Sequence, residues 1–314
     1  MASFGYQVLG FGSGVAAAAA AGPTQKAIFA YGHTGSVTNV SNLVSSSGVV
    51  ATDTTGVGTA RYQLSGSGYG LDKAIFAYGY VTLSMRNLVT NLGVVGTDLT
   101  GAGTGRSASA ATTYGSTGQA IFGYGDTGAA KVSITNLVTN LGVVGGDVTG
   151  VGTARYGLAA TGYGEDKAMF GFGFKTGGTE WVSTTNLVTN LGVVGTDVTG
   201  VGSIRYNLGA ARYGGDKAIF AYGRNSSANL SMSNLVSNVG VVATDVTGVG
   251  TVRGNVGAAM YGGDKAIFAY GAIAHPNRTA VSNLVTNVGV VGTDVTGVGT
   301  ARSTHGNAGY STSA

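Results

Sequence analysis

The chain of 314 residues has no cysteine, which excludes disulfides, thiolate nucleophiles and Cys-ligated metals. It has only 2 prolines beside 58 glycines, and charged residues make up 10% against the roughly 25% usual in globular proteins. A chain so poor in charge and 43% apolar is not a disordered one. Its Val, Ile, Tyr and Phe fall in short blocks between glycines, which is the pattern of strands joined by tight turns. No stretch approaches the ~20 apolar residues of a membrane span. The first residues carry a run of small residues from Val15 to Ala21, without the basic start and continuous apolar core of a signal peptide. The net charge of +4 is spread along the chain rather than clustered, so neither nucleic-acid binding nor a membrane span is expected.

What is present is repetition. The stretch KAIFAYG (Lys73 to Gly79) returns with openings at Lys26, Lys73, Gln119, Lys167, Lys217 and Lys265, in steps of 47, 46, 48, 50 and 48 residues. A constant period in this range marks an architecture in which each unit buries its faces against its neighbours. In the second unit KAIFAYG reads as a strand buried on both faces, NLVTN (Asn87 to Asn91) as a short strand, Leu92-Gly93 as a turn, and GVVGTD (Gly93 to Asp98) as another strand. A last strand starts at Arg106 and ends at Tyr114-Gly115. Four-stranded antiparallel units in this number predict a six-bladed β-propeller covering residues 23–314, preceded by an arm at 1–22.

Closure is predicted from one spacing. An Arg is followed eight residues later by a Tyr in Arg61/Tyr69, Arg106/Tyr114, Arg155/Tyr163, Arg205/Tyr213 and Arg253/Tyr261, and the pair recurs at the C-terminal end as Arg302/Tyr310. The stretch before Lys26 holds no such pair. The C-terminal strand is therefore expected to complete the sheet that begins at Lys26.

RYGLAATGYGEDKAMFGFG (Arg155 to Gly173) followed by NLVTNLGVVGTDVTG resembles a kelch repeat, over residues 26 to 310, with Tyr-Gly where kelch units carry a double glycine. The runs of NLV, GVV and TGVGTAR are also similar to propeller repeats of tailed-bacteriophage virion proteins. The first resemblance implies the propeller fold. The second implies a non-enzymatic tail, fibre or decoration component of a virion, made in the host cytoplasm, attached to other virion proteins by the arm and meeting a host glycan or surface protein. A glycan-acting propeller hydrolase and a host kelch-type interaction module are the alternatives.

Chemistry-bearing residues divide into columns and exceptions. Asp53, Asp98, Asp147, Asp197, Asp245 and Asp294 each precede an Arg (Arg61, Arg106, Arg155, Arg205, Arg253, Arg302) by eight residues across a TGVGT-type turn. These are expected to be structural, the carboxylate accepting from turn N–H groups or pairing with Arg, because one carboxylate per turn falls short of the oxygen set that Ca²⁺ takes. No metal, cofactor or catalytic residue is expected. Asp126-Thr127-Gly128 lacks the second carboxylate of an aspartic protease, and His33, His275 and His305 lack metal-ligand spacing. A glycan hydrolase needs a carboxylate pair, and only Asp126, Glu165 and Glu180 lie outside the columns. The non-repeated residues fall between KAIFAYG and NLV, in loops expected on one face. There Trp181, Glu180, Lys175, Arg86, Lys131, Arg224, Arg278 and His275 are the candidate ligand-binding residues.

Overall fold

The computed structural model describes residues 24–80, 82–175, 180–274 and 276–313. The predicted arm and His275 lie outside them. Among the described residues the chain is all-β, a set of small antiparallel sheets without a helix, and hence without a helix long and apolar enough to cross a membrane.

Each repeat contributes a middle and a last strand to one sheet and the first strand to the next. The first sheet orders Gly306–Ser311, Gln25–His33 and Val37–Val44, the second Ser65–Tyr69, Lys73–Ala77 and Arg86–Val89, and the third Ala110–Tyr114, Gln119–Asp126 and Lys131–Val138. The fourth holds Ala159–Tyr163, Lys167–Lys175 and Trp181–Val188, with the short strand Arg155–Tyr156 paired to the far end of its middle strand. Gly209–Tyr213, Lys217–Ala221 and Ser233–Val236 form the fifth, and Gly257–Tyr261, Lys265–Ala269 and Ser282–Val285 the sixth. The C-terminal strand pairs with Gln25–His33 in register from Gln25 opposite Ser311 to Ala30 opposite Gly306, as the Arg302/Tyr310 spacing predicts. The first strands touch one another in sequence order, and that of the sixth sheet touches Gly306–Ser311.

The middle strands carry the core. In Lys73–Ala77 all four residues after the lysine are buried, and Ile75 and Phe76 project to opposite faces against the sheets on either side. The Tyr-Gly that ends the motif is a built irregularity. Tyr31, Tyr78, Tyr124, Phe172, Tyr222 and Tyr270 all sit at φ of 61–67°, an uncommon region for a bulky side chain, and each is fully buried.

Those rings are held by the arginine column. Arg61 is buried, with its guanidinium carbon 4.3 Å from the centre of the Tyr31 ring in the neighbouring sheet. It donates from Nε to the Tyr78 carbonyl at 3.0 Å and from Nη2 to Asn87 Oδ1 at 2.7 Å. The other five arginines stack in the same way on Tyr78, Tyr124, Phe172, Tyr222 and Tyr270 at 4.1–4.4 Å. A desolvated cation over an aromatic face contributes about 2 kcal/mol, enough to offset the backbone cost of a positive φ. Burial lowers every one of these guanidinium pKa values, Arg205 to about 10.

The aspartates differ from the expected pairing. Asp98 does not engage Arg106, eight residues on. It accepts from the N–H and the hydroxyl of Thr59 at 2.9 and 2.6 Å and lies 3.9 Å from Arg61, so it closes on the turn of the preceding repeat. Asp147, Asp197, Asp245 and Asp294 take Thr104, Thr153, Ser203 and Thr251 alike, and Asp53 takes Thr300. Asn42, Asn87, Asn136, Asn186, Asn234 and Asn283 are fully buried hubs, each donating to its Asp Oδ1 at 2.9–3.0 Å.

The GVVGTD segment is not a fourth strand. In the second repeat it meets the last strand only through isolated bridges, Val89 with Val95 and Arg86 with Leu99. Between those bridges the Asn87 amide donates to the Gly96 carbonyl at 2.9 Å, so a side chain takes a place that a backbone ladder would need.

Candidate binding face

The loops that join middle to last strands leave the same end of every sheet. Antiparallel register puts the start of each first strand there too, as Ser65 opposite Ala77. At this end the residues just ahead of the first strands, Gln63, Ala108, Gly157, Asn207, Asn255 and Thr304, all adopt φ of 49–62°. Their backbones make a closed circuit. The N–H of Gln63 donates to the carbonyl of Thr304, Thr304 to Asn255, Asn255 to Asn207, Asn207 to Gly157, Gly157 to Ala108 and Ala108 back to Gln63, over 2.6–3.4 Å. The circuit caps a cavity of about 110 Å³ whose wall includes Leu64, Leu158, Leu208, Val256 and His305. Four of its six residues carry an amide or a hydroxyl, and none is charged.

Aromatic residues rim this circuit because several of its members follow a tyrosine in sequence. Tyr156, before Gly157, and Tyr206, before Asn207, pack with Phe174 and Trp181 into one cluster. Phe174 has its ring centre 5.4 Å from Tyr156 and 5.4 Å from Trp181, and Tyr206 stands 5.9 Å from Phe174 and 6.3 Å from Trp181. All four rings are half-buried. Cations flank them, with Lys131 Nζ 4.7 Å from the Tyr156 ring centre and the Arg224 guanidinium 5.7 Å from that of Tyr206. A second cluster is formed by Tyr62, before Gln63, with Tyr80 at 4.8 Å and His33 at 5.2 Å. Arg278 donates to His33 Nδ1 at 2.7 Å, joining the sixth repeat to the first. Burial first, then the neighbouring Tyr80, raises the Tyr62 phenol pKa, and burial followed by Tyr206 and Asp126 raises that of Tyr156.

Of the predicted residues, Trp181, Lys175, Glu180, Lys131 and Arg224 come together around the first cluster, and Arg278 belongs to the second. Arg86 does not join either. It is the first residue of a last strand, and its guanidinium donates to the Thr100 carbonyl in the outer segment of its own repeat. Trp181 is neither fully exposed nor core: it leans on Phe174, and its Nε1 is buried without a hydrogen-bond partner. Tyr62, Tyr156 and Tyr206 are what sequence reasoning passed over. Their signal is the position after each column arginine, which reads Tyr, Ser, Tyr, Tyr, Gly, Ser in order and so varies beside an invariant neighbour.

The carboxylates of this face are engaged. Asp126 accepts from Lys131 at 2.6 Å and Glu180 pairs with Lys175. Among the described residues no three His, Asp or Glu side chains gather as a metal site. The arrangement therefore offers apolar rings with polar edges, a ring of uncharged hydrogen-bonding groups and one exposed cation, Arg224. Compared with known proteins, the sequence matches no family model, and no curated protein is significantly similar to it.

Proposed function

We propose that the chain is a six-bladed β-propeller that serves as a non-enzymatic binding module, and that its loop face takes a glycan. The cyclic contact of the first strands and the backbone circuit from Gln63 to Thr304 support the propeller, with blades of three full strands and a bridged fourth segment. The observation that carries the binding role is the half-buried platform of Tyr156, Phe174, Trp181 and Tyr206 beside a ring of Gln, Asn and Thr side chains. Sugar rings present apolar faces to aromatics and hydroxyls to amides, and large rigid rings bind at low entropic cost. A hydrolase would need a free acid pair, whereas Asp126 and Glu180 each face a lysine. The repeat resemblance supports a place on a phage virion, in tail, fibre or decoration, with residues 1–22 joining other virion proteins.

A panel of immobilised oligosaccharides tests the reading. The full chain should bind a subset, shift its indole fluorescence on binding, and lose at least about tenfold in affinity as Trp181→Ala or Tyr206→Ala, with both variants still folded. Failure of the full chain to retain any glycan, or unchanged binding by both variants, would overturn it.

A further inference from the structure

The opposite end of the sheets bears a second surface of different chemistry. Here the turn after each last strand tucks under the hairpin of the sheet before it: Gly142 stands against the Tyr69 ring, Gly192 against Tyr114, Gly240 against Tyr163, Gly289 against Tyr213 and Gly93 against Tyr310. These glycines have φ of 79–82° or, at Gly289, 85°, and a Cβ on any of them would come within 2.7–2.9 Å of its tyrosine. The turn is thereby fixed, and the residue before each glycine has nowhere to go but outward.

That residue is aliphatic in five of six repeats. Leu92, Leu141, Leu191, Val239 and Val288 are 67–78% exposed, and the valine two positions on in each of the six repeats is 56–65% exposed. The sixth position is Ser47. In three repeats a threonine hydroxyl accepts from the N–H of both residues of the pair, as Thr90 does for Leu92 and Val94, so the display is rigid. Polar residues would serve such a turn equally well, and these eleven aliphatics on one end of the molecule exceed the scattered apolar exposure of a monomer surface.

We propose that this end is a mating surface for a second copy of the chain, two rings meeting face to face about a two-fold axis. The charge pattern selects that occupant. In four of the six sheets this end sets an acid beside a base, Asp72 with Lys73, Asp166 with Lys167, Asp216 with Lys217 and Asp264 with Lys265. An anionic lipid surface would meet a carboxylate at four of the five lysines of this end, Lys26 being the exception. A second copy, turned over, brings lysines onto aspartates with the same angular pitch, which is the self-complementarity an isologous contact requires. The rigid turns reduce the entropy lost on association.

Sedimentation equilibrium of the full chain, from about 1 to 100 µM, reads the prediction directly. The expected particle is twice the 31.0 kDa of one chain. Changing Leu92, Leu141, Leu191, Val239 and Val288 together to Ser should return the mass to a single chain while the thermal melt persists. Leu141→Ser alone, placed twice in the contact by symmetry, should raise the dissociation constant about tenfold. That single change keeps the test decisive if the fivefold variant fails to fold. A wild-type chain that stays single throughout the range, or a dimer indifferent to Leu141→Ser, overturns the proposal. So does a single chain that pellets with phosphatidylcholine or phosphatidylglycerol vesicles, which would assign the surface to lipid.

Discussion

Thr300 and Asp53, 247 residues apart in sequence, are locked together by two contacts. The Thr300 N–H donates to the Asp53 carboxylate at 3.0 Å and its hydroxyl donates to the other oxygen. The contact repeats what Thr59 makes with Asp98, so the joint between the last repeat and the first is built like the joints inside the chain. One difference exists. At internal joints such as Arg61 with Asn87 the arginine donates to the buried asparagine, whereas Arg302 donates to the Phe29 carbonyl and leaves Asn42 Oδ1 without a partner. The closing joint is one hydrogen bond short.

This asymmetry predicts where the molecule opens. Asp53→Ala and Asp197→Ala each remove a carboxylate that holds a turn, and each should cost about 1–3 kcal/mol in urea unfolding. Opening should begin at the closing joint, so native-state hydrogen exchange should be faster at Gln25–His33 and Gly306–Ser311 than in the fourth sheet, and Asp53→Ala should widen that gap. Truncation before Gly306 should leave the edge of Gln25–His33 unpaired and cause aggregation. Equal exchange in all six sheets would show that the missing bond has no consequence.

Acid should act on all six joints together. Burial works to raise these carboxyl pKa values, and the Thr or Ser hydroxyl, the Asn amide, the turn N–H and then the Arg charge outweigh it, leaving each below the usual aspartate range. A carboxyl with a depressed folded pKa contributes stability that is complete above its unfolded value and lost as pH falls through the folded one. The aspartate contribution should thus be constant above about pH 5 and collapse below about pH 4. Urea midpoints measured at intervals from pH 7 to pH 2.5 give the curve. A replacement of all six by Asn should flatten its lowest part.

His305 supplies an earlier decline. It occupies the position of Leu64, Leu158 and Leu208 in other repeats, packs edge-on against Phe29 and Tyr270 at 5.5 and 5.3 Å, and is buried with Nε2 unpartnered. Burial, reinforced by the Arg302 charge, lowers its pKa from 6.5 to about 3. The unfolded chain takes up the proton first, so stability falls as pH drops from about 6.5 towards 3. His305→Leu removes that proton uptake and should gain about 2 kcal/mol at pH 5 relative to its effect at pH 8. A gain independent of pH would mean that only packing had improved.

The parts of the fold that were legible in the sequence are those written in spacing. KAIFAYG announced the middle strands because a segment buried on both faces must be continuously apolar or small, and the Arg302/Tyr310 interval gave the closing strand. Partners across units were not legible. Asp98 is eight residues from Arg106 and 39 from Thr59, and only packing of neighbouring sheets decides between them. Asn87 read as one more strand residue, yet its amide displaced the expected fourth strand. On the candidate face the variable loops stood out through their lack of repetition, while Tyr62, Tyr156 and Tyr206 were hidden next to an arginine that never varies.

The N–H of Thr312 donates to the carbonyl of Thr24, so the two ends of the described chain lie side by side at one hairpin position. Covalently the chain is a line, but the joint of Asp53 with Thr300 links its last repeat to its first, as the ring proposed above requires. A circular permutant, joined between Thr312 and Thr24 by a short glycine linker and opened at the hairpin between Tyr163 and Lys167, would keep every joint and lose one turn. In such a molecule the chain ends would move from the first sheet to the fourth while the missing Arg302–Asn42 hydrogen bond stayed in the first, which would separate the effect of the chain break from that of the missing bond.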